Sequence, residues 1–66
     1  MLSWPELRVK RLRNRVTKTA IAERLGCATS WLNALEGGHY RGPAREKWAA
    51  KYDRALSELI EEKHSR

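Results

Sequence analysis

Phenylalanine is absent from the 66-residue chain, and cysteine occurs once, proline twice and glycine four times. The single Cys27 excludes an internal disulfide. With only His39 and His64 to join it, far apart in sequence, it cannot supply a zinc tetrad, so neither a structural metal nor another cofactor is expected. No apolar run reaches the length of a signal-peptide core or a membrane span, because charges recur every few positions. The expected setting is the reducing cytoplasm. Three Trp and two Tyr, within an apolar fraction of 41%, can fill one small core and leave no room for a separate catalytic domain. So small a domain is marginal alone, and self-association is an expected supplement. Strand-type alternation, internal repeats and low-complexity stretches are also missing.

What the chain does have is positive charge: 14 Lys and Arg against 8 Asp and Glu, a formal net charge of +6. Residues 1 to 45 carry nine basic and three acidic side chains, and residues 46 to 66 five of each, so the whole excess lies in the first part. Arg8, Lys10, Arg11, Arg13, Arg15 and Lys18 form an almost unbroken series. Such a run is either a solvated helix face or the footprint of a polyanionic partner.

The helical signals are local and clear. Ser3-Trp4-Pro5-Glu6 has the spacing of a capping box with Pro in the first turn, which predicts a helix over about 4 to 14. Pro5, Val9, Leu12 and Val16 recur on one side of it and are the expected inward stripe. Leu7 lies off that stripe and is left to contact something else. Thr17 is a cap for a second helix over 18 to 25, with Ile21, Ala22 and Leu25 inward and Gly26 ending it. A third helix runs from Thr29 to Glu36, with Leu32 and Leu35 inward, and Gly37-Gly38 stops it. Pro43 restarts a fourth, expected to reach about 62 before the charged tail 61 to 66. Trp48, Tyr52, Ala55 and Leu59 recur in it at four, three, four, a heptad-like seam with Leu56 and Ile60 alongside. At roughly 30 Å such a helix outruns a core of three short helices, so its last turns are expected to project or to meet a second subunit.

Two short helices joined by a tight turn with Gly at its first position meet the physical requirement of a helix-turn-helix. Small Ala22 sits where the helices cross, Gly26 opens the turn, and Ile21, Leu25, Cys27, Leu32 and Leu35 take the inward places. The segment Thr17-Lys18-Thr19-Ala20-Ile21-Ala22-Glu23-Arg24-Leu25-Gly26-Cys27-Ala28, followed by Leu32-Asn33-Ala34-Leu35-Glu36-Gly37-Gly38, resembles the Cro and phage-repressor (XRE-type) helix-turn-helix proteins, with coverage of about residues 7 to 56. The resemblance implies a small all-α, four-helix, lambda-repressor-like domain, here with an extended C-terminal helix in place of the family's usual fifth. It also implies a sequence-specific double-stranded DNA-binding transcriptional regulator, a phage or mobile-element repressor acting as a homodimer on a palindromic operator and associated with the bacterial nucleoid. The chain departs from the family pattern in carrying Lys18 where Gln is usual and Ala28 where Ser is common. Phosphate binding then falls to Lys18, and capping of the third helix to Thr29.

By the same resemblance, Thr29, Ser30, Asn33 and Ala34 map onto base-reading positions. Asn33 suits a bidentate pair with adenine and Ala34 a thymine methyl, while Thr29 and Ser30 are otherwise capping residues. Lys18 and Thr19, at a helix N-terminus that favours anions, and His39, Tyr40 and Arg41, after the third helix, are the phosphate-binding candidates. Lys18→Ala is thus expected to weaken all sequences alike. Trp31 is expected to pack against the fourth helix. Trp48, Tyr52, Ala55, Leu56 and Leu59 are the dimerisation candidates, with Trp4 and Leu7 secondary. Cys27 reads as a small buried hydrophobe. Catalysis is not expected, since no Ser, His and acid constellation has local context and Glu61-Glu62 lack a pocket to shift their pKa. Two other readings remain: an antitoxin or adaptor that captures a protein with its C-terminal helix, and an excisionase-like architectural accessory that bends DNA.

Overall fold

A computed structural model describes residues 3–65, and Arg66 of the charged tail lies outside them. The regular structure among these residues is all helical: α1 (Trp4–Arg13), α2 (Lys18–Leu25), α3 (Thr29–Glu36) and α4 (Ala44–His64). None of these helices is long and apolar enough to cross a membrane.

The local signals act where the sequence places them. Ser3 and Glu6 form the reciprocal capping box at the start of α1, with Pro5 in the first turn. The Thr17 side chain accepts the Ala20 N–H at 3.1 Å and caps α2. Gly26 closes α2 in the left-handed region at φ 71°, which lets the Cys27 N–H reach back to Ala22 O at 3.0 Å. Arg15 takes the corresponding place after α1 at φ 54°, a position glycine usually fills, and the Val16 N–H returns to Arg11 O.

Burial reverses the expectation for α1. Trp4, Leu7 and Arg11 face the core, whereas Val9 and Leu12 are 51% and 55% exposed and Pro5 is exposed as well. Of the expected stripe only Val16, beyond the helix end, is buried. The reason is chemical. Trp4 brings the largest apolar surface in the helix and meets Tyr52 edge-on, with centroids 5.2 Å apart. Arg11 would normally forbid that face, but it finds a carboxylate inside. Its Nη2 donates to Glu36 Oε1 at 3.1 Å and its Nη1 to Val16 O at 3.2 Å, with 8% and 4% of the two charged side chains exposed. The Tyr52 hydroxyl donates to the other Glu36 oxygen. One polar cluster thus ties α1, α3 and α4 together at the centre of the molecule.

Around it Leu7, Ile21, Leu32, Leu35 and Leu56 are fully buried, each side chain contributing about 1.5–3 kcal/mol. Tyr52, Ala55 and Leu56 are therefore interior residues, not a dimer seam, and Trp4 and Leu7 are equally unavailable to a partner. Leu59 and Ile60 are half-buried against the same core. The last turns of α4 do not project. Lys63 Nζ donates to Asn14 O at 2.7 Å, closing the C-terminal end of α1, and Arg24 of α2 pairs with Glu58 and Glu62. Earlier along α4, Asp53 takes Lys10 at 2.8 Å. Such partly exposed pairs are each worth about 0–1 kcal/mol, but together they hold α4 along α1 and α2.

Candidate nucleic-acid interface

The face of α3 is set by what holds its other side. Leu32 and Leu35 are fully buried, and Glu36, the last helical residue, is clamped by Arg11 and Tyr52. A carboxylate at a helix C-terminus opposes the helix dipole, so the buried Arg11 guanidinium offsets an otherwise unfavourable placement. Arg45, at the start of α4, donates to Leu35 O at 3.2 Å and takes up one of the last carbonyls of α3. Burial raises the Tyr52 hydroxyl well above the usual tyrosine range, and its hydrogen bond to Glu36 and the negative charge there raise it further. The phenol therefore stays a donor to Glu36 at neutral pH.

With that side fixed, Ser30 and Asn33 are exposed and Thr29 and Ala34 half-exposed, so the four base-reading candidates share the free side of α3. Thr29 does not cap the helix. The N-cap is Ala28, in extended backbone with no side-chain bond to the helix, and Thr29 is the first helical residue. Its hydroxyl is released from the capping role expected of it.

Lys18 and Asn33, expected to contact phosphate and base separately, are bonded to each other: Lys18 Nζ donates to Asn33 Oδ1. The first residue of α2 thereby orients the amide of α3. Removing Lys18 then takes away both a charge and the group that positions Asn33, so a uniform loss across all sequences is no longer the expectation. Thr19 is exposed beside Lys18. Because Thr17 occupies the Ala20 N–H, the N–H groups of Lys18 and Thr19 are among those left without an intrahelical partner at this helix end.

After α3 the chain turns back on itself, with the His39 and Tyr40 N–H groups both directed at Ala34 O, at 3.0 and 3.3 Å. His39 and Arg41 are exposed. Tyr40 is half-buried: its ring lies 4.8 Å from that of Trp31, and its hydroxyl sits over Gly42, where an added Cβ would collide with it. Trp31 also meets Trp48 edge-on at 5.7 Å, so Trp48 belongs to an aromatic cluster joining α3, the loop and α4. Cys27 is half-buried and its thiol is shifted upward by burial, away from thiolate chemistry.

Among the described residues, Arg8, Arg13, Arg15, Lys18 and Arg41 have no acidic partner within ion-pair distance, whereas Lys10, Arg11 and Arg24 are neutralised by Asp53, Glu36, Glu58 and Glu62. The basic series is thus divided between the interior and the surface. Arg11, Glu36 and Arg45 escaped the sequence reading. The 4, 7, 11 spacing of Trp4, Leu7 and Arg11 was the available signal, masked by the charge of its third member. Comparison with protein-family models, curated proteins and solved structures returned no match.

Proposed function

We propose that the protein is a sequence-specific double-stranded DNA-binding transcriptional regulator of the Cro and phage-repressor type, with α3 as its reading helix. The observation that carries this is the free side of α3, where Ser30 and Asn33 stand exposed, Lys18 orients Asn33, and the opposite side is locked by Leu32, Leu35 and Glu36. A rigid helix with short polar side chains outward suits base edges in the major groove. Lys18, Arg41 and the N–H groups at the start of α2 that have no intrahelical partner supply the cationic surroundings that bind phosphate without reading sequence. His39 and Thr19 are secondary phosphate contacts. Two copies would place their α3 helices in successive major grooves about 34 Å apart on a palindromic site, and promoter occupancy would give repression.

Capture of a protein by the apolar side of α4 is disfavoured, because that side is spent on the core through Tyr52, Ala55 and Leu56. The test is selection of bound sequences from a randomised duplex pool, followed by titration across a salt series and a footprint on DNA flanking the coding region. A preferred site whose affinity falls steeply with salt supports the proposal. Absence of any salt-sensitive complex with duplex DNA refutes it.

A further inference from the structure

Val9 and Leu12 are the large apolar side chains left exposed among the described residues, and they sit three residues apart on the outer side of α1. Exposed Pro5 continues the stripe one turn earlier. Single exposed hydrophobes need no explanation, but here the 5, 9, 12 spacing is the four-three step of paired helices. Beside it runs a shallow groove lined by Pro5, Glu6, Val9, Lys10, Arg13 and Asn14. The core has no use for this stripe, since Trp4, Leu7 and Arg11 already occupy the inner side.

The flanking charges select the occupant. Glu6 and Arg13 are both exposed, two turns apart on the same flank of the stripe, and neither is in an ion pair among the described residues. Glu6 uses only its Oε1 in the capping box. When two such helices lie antiparallel, Val9 of each copy meets Leu12 of the other, and Glu6 of each copy comes opposite Arg13 of the other. A two-fold axis makes both ion pairs at once, as a self-complementary interface requires. A parallel pair would instead set Arg13 of each copy against Arg8 of the other and leave Glu6 with no basic residue opposite, and a uniformly acidic partner helix would repel Glu6.

We propose that the outer face of α1 binds a second copy of this chain, antiparallel, through Val9, Leu12 and the reciprocal Glu6 and Arg13 pairs. The patch is far smaller than a standard protein interface, and Arg8 of one copy approaches Arg15 of the other on the opposite flank, so association without DNA is weak. The pairing does not rest on the DNA reading, because it is measured with no DNA present.

Sedimentation equilibrium on the full chain tests it, using wild type, Glu6→Arg, Arg13→Glu and an equimolar mixture of the two variants. The wild type is expected to dimerise reversibly in the high-micromolar range, and each variant alone to lose about tenfold in self-association. The mixture is expected to recover the wild-type level, because the heterodimer restores both opposite-charge pairs. Glu6→Arg also breaks the capping box, so the mixture, in which that damage persists, is the deciding measurement, with circular dichroism verifying that each variant is folded. A wild type that stays monomeric to about 1 mM, a mixture no better than the single variants, or a dimer indifferent to Leu12→Glu overturns the proposal.

Discussion

Replacing Glu36 by alanine removes the acceptor at the centre of the molecule. Arg11, whose side chain is only 8% exposed, keeps Val16 O as an acceptor but loses its carboxylate, and the fully buried Tyr52 hydroxyl is left without an acceptor. Removing one member of a buried ion pair costs about 3–5 kcal/mol, mostly as the penalty of an uncompensated charge. An orphaned buried hydroxyl adds about 1–3 kcal/mol. A 66-residue domain has on the order of 3–10 kcal/mol in total, so Glu36→Ala is expected to be largely unfolded at 25 °C. Arg11→Met alone should be costly for the converse reason, since it strands the carboxylate. The double variant Arg11→Met with Glu36→Met removes both charges, keeps similar volume, and should recover most of the loss. Urea denaturation followed by circular dichroism reads all of these. If Glu36→Ala lies within about 1 kcal/mol of the wild type, or the double variant falls as far as the sum of the singles, the cluster is not the anchor described here.

The same cluster gives a pH dependence. The folded-state pKa of Tyr52 is raised, so the unfolded chain loses this proton first, and the contribution is complete below the usual tyrosine value of 10.0 and declines as pH rises beyond it. Stability should fall above pH 10 by up to about 1.4 kcal/mol per unit, and Tyr52→Phe should abolish that component while costing about 1.5–3 kcal/mol at neutral pH. An unchanged alkaline limb in the Tyr52→Phe variant would count against the assignment. Gly26→Ala should cost about 1–2 kcal/mol purely through backbone conformation, because no atom lies within 4 Å of the added methyl; denaturation at equal or higher urea than the wild type would contradict this. On a selected duplex, Asn33→Ala should cost about 1–3 kcal/mol and relax preference at one base pair. Lys18→Ala should lower the salt slope by about 0.9 and also blunt the preference at that same base pair; a loss equal for all sequences would show that the Lys18 bond to Asn33 has no role in reading.

Whatever depended on neighbours a few residues away was legible in the chain itself. Ser3 with Glu6, Thr17 and Gly26 announce their helix ends through side-chain and backbone preferences that act within one turn, and the bounds of α2 and α3 follow. The outward placement of Ser30 and Asn33 was legible too, because Leu32 and Leu35 leave that side as the remainder of a short amphipathic helix. Tertiary structure decided which of two rival stripes on α1 turns inward. Periodicity treats arginine as a surface residue, and only when α3 and α4 bring Glu36 and Tyr52 beside Arg11 does the 4, 7, 11 stripe become affordable. It likewise decided that the apolar side of α4 fills this chain's own core and that Lys18 holds Asn33, since both depend on contacts between residues distant in sequence.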